Sequence, residues 1–126
     1  MTKSTSDIII PLMEFLRDKE FHSLTDSCLH LQKALKLSIK EKNDYYEYRK
    51  GNSEIIKLSS TKFYSRVADA VHVLRNASLI EDFDGKKGGG KFRLNENGYD
   101  FLENDNKEKI KKTKAILQDW KSEKKK

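Results

Sequence analysis

The strongest constraint in this chain is the run from Thr61 to Ala77, where Phe63, Val67, Ala70, Val71, Leu74 and Ala77 recur at helical spacing. A helix there must bury one face. The opposite face carries Lys62, Ser65, Asp69, His72 and Asn76, with Arg66 and Arg75 at its edges. Directly afterwards, Ser78-Leu-Ile-Glu-Asp-Phe83 reads as a strand, Asp84-Gly-Lys-Lys-Gly-Gly-Gly90 as a turn and Lys91-Phe-Arg-Leu94 as a second strand. The middle of the fold is therefore an amphipathic helix followed by a short glycine-rich hairpin.

Upstream, Ile8, Ile9, Leu12, Met13, Phe15 and Leu16 mark a first helix over Asp7 to Asp18. Pro11 is tolerated in a first turn, which predicts a start near Ile9 or Ile10. A short extended piece, Phe21 to Leu24, leads to a second helix capped by Thr25 or Asp26, with Cys28, Leu31, Leu35 and Ala34 inward. Ser38 and Glu41 have capping-box spacing for a short further turn. Residues 44–60 flank Lys50-Gly51-Asn52 and read either as a β-hairpin or as a loop that orders on binding. Downstream, Asn95 caps a helix over Glu96 to Asn104, and Asn106 to Lys126 suits a last helix striped by Ile110, Thr113, Ile116, Leu117 and Trp120. This is the order of a winged helix-turn-helix: mainly α (α+β), with a small antiparallel β-hairpin wing and an extra C-terminal helix. Residues 1–105 form the expected domain and 106–126 a Lys-rich helix or tail.

Hydrophobic residues make up 36% of the 126 and charged residues 37%, so the core is small and the surface heavily charged. No run approaches the ~18 apolar residues of a membrane span, and Ile8-Ile9-Ile10, cut by Pro11, lacks the length and cleavage site of a secretory signal. The lone Cys28 forms no internal disulfide and suits a reducing compartment, so a cytoplasmic protein is expected. The net charge of +6 sits in residues 106–126, where nine Lys face Glu108, Asp119 and Glu123; the other residues sum to zero.

Within the neutral body, positive charge is nevertheless clustered. Residues 57–75 hold Lys57, Lys62, Arg66 and Arg75 against Asp69, and residues 84–93 hold Lys86, Lys87, Lys91 and Arg93 against Asp84. A winged helix puts these two windows on one side, where a duplex docks. Lys62, Lys86, Lys87 and Lys91 suit phosphates. Ser65, Asp69, His72 and Asn76 are the candidates for base edges, Asp69 either accepting from a cytosine amino group or repelling the backbone.

Other chemistry is poorly supported. Gly85, Gly90 and Lys91 fit a phosphate-loop spacing, but Phe92 replaces the hydroxyl residue and a strand follows where a helix N-terminus is needed. Asp84-Gly85-Lys86 has nuclease-like spacing without a second acid to share a metal. His22, Cys28 and His30 lack zinc-site spacing, Cys28 and His30 pointing to different helix faces. The chain is expected to be no enzyme and to need no metal or cofactor.

The residues resemble the N-terminal winged-helix domain of Mrr-type restriction endonucleases over about residues 8–103. The resemblance is carried by Ile10-Pro11-Leu12-Met13-Glu14-Phe15-Leu16, by His22-Ser23-Leu24-Thr25-Asp26, by Arg66-Val67 with Ala70, Leu74 and Ala77 to Ile80, and by Phe92 to Gly98 with Phe101-Leu102. Asp69 stands where that family usually has an aromatic residue, Ser78 where it has Gly, and 44–60 is longer than its loop. The family's nuclease domain has no counterpart in this sequence. The resemblance implies DNA binding and is silent on restriction activity.

The expected function is duplex DNA binding by a transcriptional regulator or similar factor acting as a homodimer. Two alternatives stay open: the target-recognition module of a restriction system with a partner nuclease, or a winged helix that binds protein and not DNA. For the tail three readings compete. It dimerises through Ile110, Leu117 and Trp120, it packs on the first helix of its own domain, or it adds non-specific DNA affinity, and dimerisation is favoured because Trp120 has little reason to stay in water. No membrane role is expected.

Overall fold

The computed structural model of the chain describes residues 4–42, 45–50, 54–83 and 90–124, with only the backbone of 45–50, 54–60 and 124 described. Helix α1 spans Thr5–Phe15 and passes into a 3-10 turn, Leu16–Asp18. It starts earlier than Pro11 suggests because Ser4 and Asp7 form a capping box. The Asp7 amide donates to Ser4 Oγ at 3.3 Å and the Ser4 amide donates to Asp7 Oδ2 at 3.2 Å. These bonds help offset the one that Pro11, inside the helix, cannot donate.

Strand β1 is His22–Ser23, and its last residue doubles as the cap of α2, Leu24–Ala34: the Asp26 amide donates to Ser23 Oγ at 3.0 Å. The cap is thus Ser23, where Thr25 or Asp26 was expected, because the extended backbone at Ser23 places its hydroxyl over the first turn. Cys28 and Leu31 are buried, Leu35 is half-buried, and Ala34 is exposed instead of facing inward. The one-turn helix α3, Ile39–Lys42, begins with the expected Ser38–Glu41 box, its two bonds at 3.1 and 3.2 Å.

Of the two alternatives for the next stretch, the hairpin is the one found. Strands β2, Tyr45–Lys50, and β3, Glu54–Thr61, pair antiparallel, with Tyr48 opposite Ile56 and Lys50 opposite Glu54. Thr61 ends β3 and caps α4, Lys62–Asn76, by accepting from the Tyr64 amide at 3.0 Å. Phe63, Val67, Ala70, Val71 and Leu74 face the core as the period requires, joined by Val73, while Ala77 is half-buried.

Helices α2 and α4 end alike without glycine. Lys36 and Ser78 take left-handed φ values of 52° and 58°, a conformation costing roughly 1–2 kcal/mol for an L-residue. Two features offset that cost. Leu37 donates to Gln32 O at 3.1 Å and Leu79 to Leu74 O at 3.0 Å, and both leucines are buried.

Strands β4, Ile80–Asp82, and β5, Lys91–Leu94, pair antiparallel, and β1 joins the other edge of β5, giving the order β1-β5-β4. Ile80, Phe92 and Leu94 point into the core, and Glu81 lies opposite Arg93 on the outer face. Asn95 caps α5, Glu96–Leu102, which stops short of the expected Asn104. Helix α6, Asn106–Lys124, opens with the Glu108 amide donating to Asp105 Oδ1 at 2.8 Å and packs on both α1 and α4. Its Leu117 belongs to the same buried cluster as Ile8, Leu12, Phe63 and Val67, with Ile116 and Trp120 packed against it. The protein is mainly helical with a small three-stranded antiparallel sheet, an α+β class. Among the described residues no helix is long and apolar enough to cross a membrane.

Candidate nucleic-acid interface

Because one face of α4 is committed to the core, the opposite side chains form a surface. Arg66, His72 and Asn76 are exposed there, and Lys62, Ser65 and Asp69 are half-buried. The β4–β5 hairpin lies beside this helix and is tied to it by a forked ion pair. Arg75 Nε donates to Asp82 Oδ2 at 2.9 Å and Arg75 Nη2 to Asp82 Oδ1 at 2.7 Å. Only 18% of the Arg75 side chain and 10% of the Asp82 side chain remain exposed. The remaining Arg75 nitrogen sits 3.3 Å from His72 Nδ1. A guanidinium has no acceptor, so Nδ1 is the acceptor in this contact. Between α4, the start of α2 and the hairpin lies a cavity of about 170 Å³, walled by Val71, His72, Arg75, Asp82 and Phe92.

The outer face of the sheet holds a second arginine cluster. Arg93 Nε donates to Glu81 Oε1 at 2.8 Å, and its guanidinium lies 4.4 Å from the centre of the Phe21 ring. Phe21 in turn meets Phe83 edge-on at 5.2 Å. This pair is more open than the first, with 40% of the Arg93 side chain and 47% of the Glu81 side chain exposed.

The expected site residues therefore divide. Ser65, Arg66, Asp69, His72 and Asn76 share one side of α4, and Lys91 is exposed at the base of the hairpin. Arg66 and Lys91 form no ion pair with another described residue. Arg75 and Arg93, expected to meet DNA, are turned to carboxylates of the chain's own β4. Lys86 and Lys87, with Asp84 and Gly85, lie outside the described residues, as does the side chain of Lys57. Leu117 and Trp120, expected to face a second copy, pack on the chain's own core, while Ile110 is 52% exposed. A narrow stripe is buried more readily against its own domain, because no second molecule has to be immobilised.

The histidines near Cys28 have other partners. Phe15 stacks on His30 at 4.2 Å and tilts against His22 at 4.4 Å, and His22 Nε2 lies 2.8 Å from Asp18. Burial pushes the Asp18 carboxyl up, but the Glu20 amide at 2.9 Å and His22 outweigh it and hold it below its usual value. Burial pushes the Cys28 thiol up to about 11. Among the described residues no group of three His, Cys, Asp or Glu is placed to hold a metal ion.

Asp82, Glu81 and Phe21 are the residues that sequence reasoning missed. The Glu81–Arg93 pair follows from antiparallel register once the two strands are aligned, so that signal was present. Nothing local marks Asp82 as the partner of Arg75. No family model matches the chain, and neither a curated protein nor a solved structure matches it.

Proposed function

We propose that the chain binds duplex DNA as a winged-helix domain, laying the outer face of α4 in the major groove while the wing at 84–91 follows the adjacent backbone. The Arg75–Asp82 fork supports this most, because it fixes the hairpin at one edge of α4 and leaves Ser65, Asp69, His72 and Asn76 facing outward together. A helix and a strand tied in this way keep the outer face of α4 in fixed register with β4, the arrangement a groove-reading helix needs. The sheet order β1-β5-β4 supports it as well, since it sets the wing strands beside the strand that precedes α2. Arg66, Lys62, Lys86, Lys87 and Lys91 are then the phosphate contacts, and Arg75 and Arg93 are struts. The natural role is a transcriptional regulator or similar factor acting as a homodimer.

One observation favours a protein-binding winged helix instead. With Arg75 and Arg93 neutralised by Asp82 and Glu81, and Asp69 on the outer face, few cations without an ion pair remain there among the described residues. Fluorescence anisotropy with a short labelled duplex separates the two. Lys86→Glu/Lys87→Glu and Arg66→Glu are expected to weaken binding more than about tenfold each at physiological salt. Unchanged affinity in both variants favours the protein-binding alternative.

A further inference from the structure

Helix α6 carries a second feature that its packing creates. On a helix of about 3.6 residues per turn, Lys107, Lys111, Lys114, Gln118 and Lys121 fall within an arc of about 80°. Glu108, Asp119 and Glu123 fall together on another arc, accompanied by Lys112. Thr113, Leu117, Ile116 and Trp120 face the core, and Lys109, its side chain 12% exposed, lies 3.9 Å from Glu14 of α1. The orientation of α6 is thereby fixed, and Lys107, Lys111, Lys114 and Lys121 are all exposed. None of the four forms an ion pair with another described residue.

We infer that this acid-free lysine row is a second, sequence-independent binding surface for the phosphate backbone of duplex DNA. At about 1.5 Å per residue the row from Lys107 to Lys121 is about 21 Å long. Laid along the duplex axis, that length spans about six base pairs at about 3.4 Å each. Because the helix is docked, the cations are presented without the ordering cost that a free tail incurs. A membrane surface fits less well. Leu117 and Trp120 are turned inward, and Ile110 is the one large apolar side chain of α6 left more than half exposed among the described residues. An interfacial helix needs a broad apolar face to insert.

This surface is separate from the outer face of α4 and does not depend on the reading proposed for it. The test is a full-length variant with Lys107, Lys111, Lys114 and Lys121 each changed to Gln. Its folding is checked by circular dichroism, and its affinity for a random-sequence duplex is measured across a salt series. Loss of four phosphate contacts is expected to lower the slope of log K against log salt by about 3–4. Affinity at 0.1 M salt should fall at least about tenfold. Should the fourfold variant unfold, the pairs Lys107→Gln/Lys111→Gln and Lys114→Gln/Lys121→Gln are each expected to give about half the slope change. A slope change below about one overturns the inference. So does loss of binding to phosphatidylserine vesicles with DNA binding unchanged, which assigns the row to membranes. The Lys86→Glu/Lys87→Glu variant distinguishes the two proposals. If it and Arg66→Glu both bind normally while the Gln variant does not, the row stands and the α4–wing reading fails; the reverse pattern overturns the row alone.

Discussion

Replacing Arg75 by Ala is expected to destabilise the protein by about 2–3 kcal/mol. The figure follows from geometry and burial. Both carboxylate oxygens of Asp82 receive a guanidinium hydrogen bond, at 2.9 and 2.7 Å, and Asp82 keeps only 10% of its side chain in water. Hydrogen bonds to charged groups contribute about 1.5–3 kcal/mol each, and removing one partner of a buried pair costs about 3–5 kcal/mol because the other charge is stranded. Residual exposure of Arg75 brings the estimate below that range. The Arg93–Glu81 pair is an internal control, with the same chemistry and a 2.8 Å contact but 40% and 47% exposure. An exposed pair of this kind contributes under about 1 kcal/mol. Urea denaturation followed through the single Trp120, which packs against the core, reads both pairs. Double-mutant cycles should give a coupling of about 2 kcal/mol for Arg75→Ala with Asp82→Ala, and well under 1 for Arg93→Ala with Glu81→Ala. Equal couplings, or a loss below about 0.5 kcal/mol in Arg75→Ala, would refute the strut.

Three further outcomes are expected. Cys28, its thiol raised from the usual 9.0 to about 11, should react slowly with iodoacetamide at pH 8 in the folded protein and rapidly in urea. The folded state favours the protonated thiol, so this contribution is intact below pH 9 and is lost as pH rises from 9 through 11; native labelling at the free-thiol rate contradicts the burial. Leu117→Ala should cost about 2 kcal/mol with the same fall in melting temperature at low and high protein concentration, whereas a concentration-dependent fall places Leu117 between copies. In Gly98→Ala the added Cβ meets the backbone oxygen of Leu79 and Leu94 Cδ2 closely enough that something must shift. A destabilisation of about 1–3 kcal/mol is expected in thermal melts, and an unchanged melt contradicts the close approach of α5 to Leu79.

What was legible from residues alone was the part set by short-range rules. The α4 face followed from its period, and the Ser38–Glu41 box from its spacing. Ser4–Asp7 and Ser23–Asp26 show the same serine-to-acid spacing at the starts of α1 and α2, and both Ser side chains accept as caps. Weight given to Pro11 and to Thr25 hid them. For 44–60 the sequence leaves hairpin and loop both open, because a two-stranded pair is marginal on its own and no local signal outweighs that. The outward placement of the α4 side chains is legible in the helical period, and the partners of its arginines are not. Whether Arg75 meets a phosphate or Asp82 depends on where β4 lies across α4, seven residues away in sequence and fixed only by tertiary packing. For the tail the reason is related: Trp120 signals a helix that needs a partner, and sequence spacing does not say whether the chain's own core or a second copy supplies it.

The most direct test of the central claim is an amide chemical-shift titration of the isotopically labelled protein with a short duplex at physiological salt. Binding through the α4–wing surface predicts the largest shifts at Ser65, Arg66, Asp69, His72 and Asn76 and along the hairpin through Lys91. Shifts confined to α6, or none at all, would contradict it.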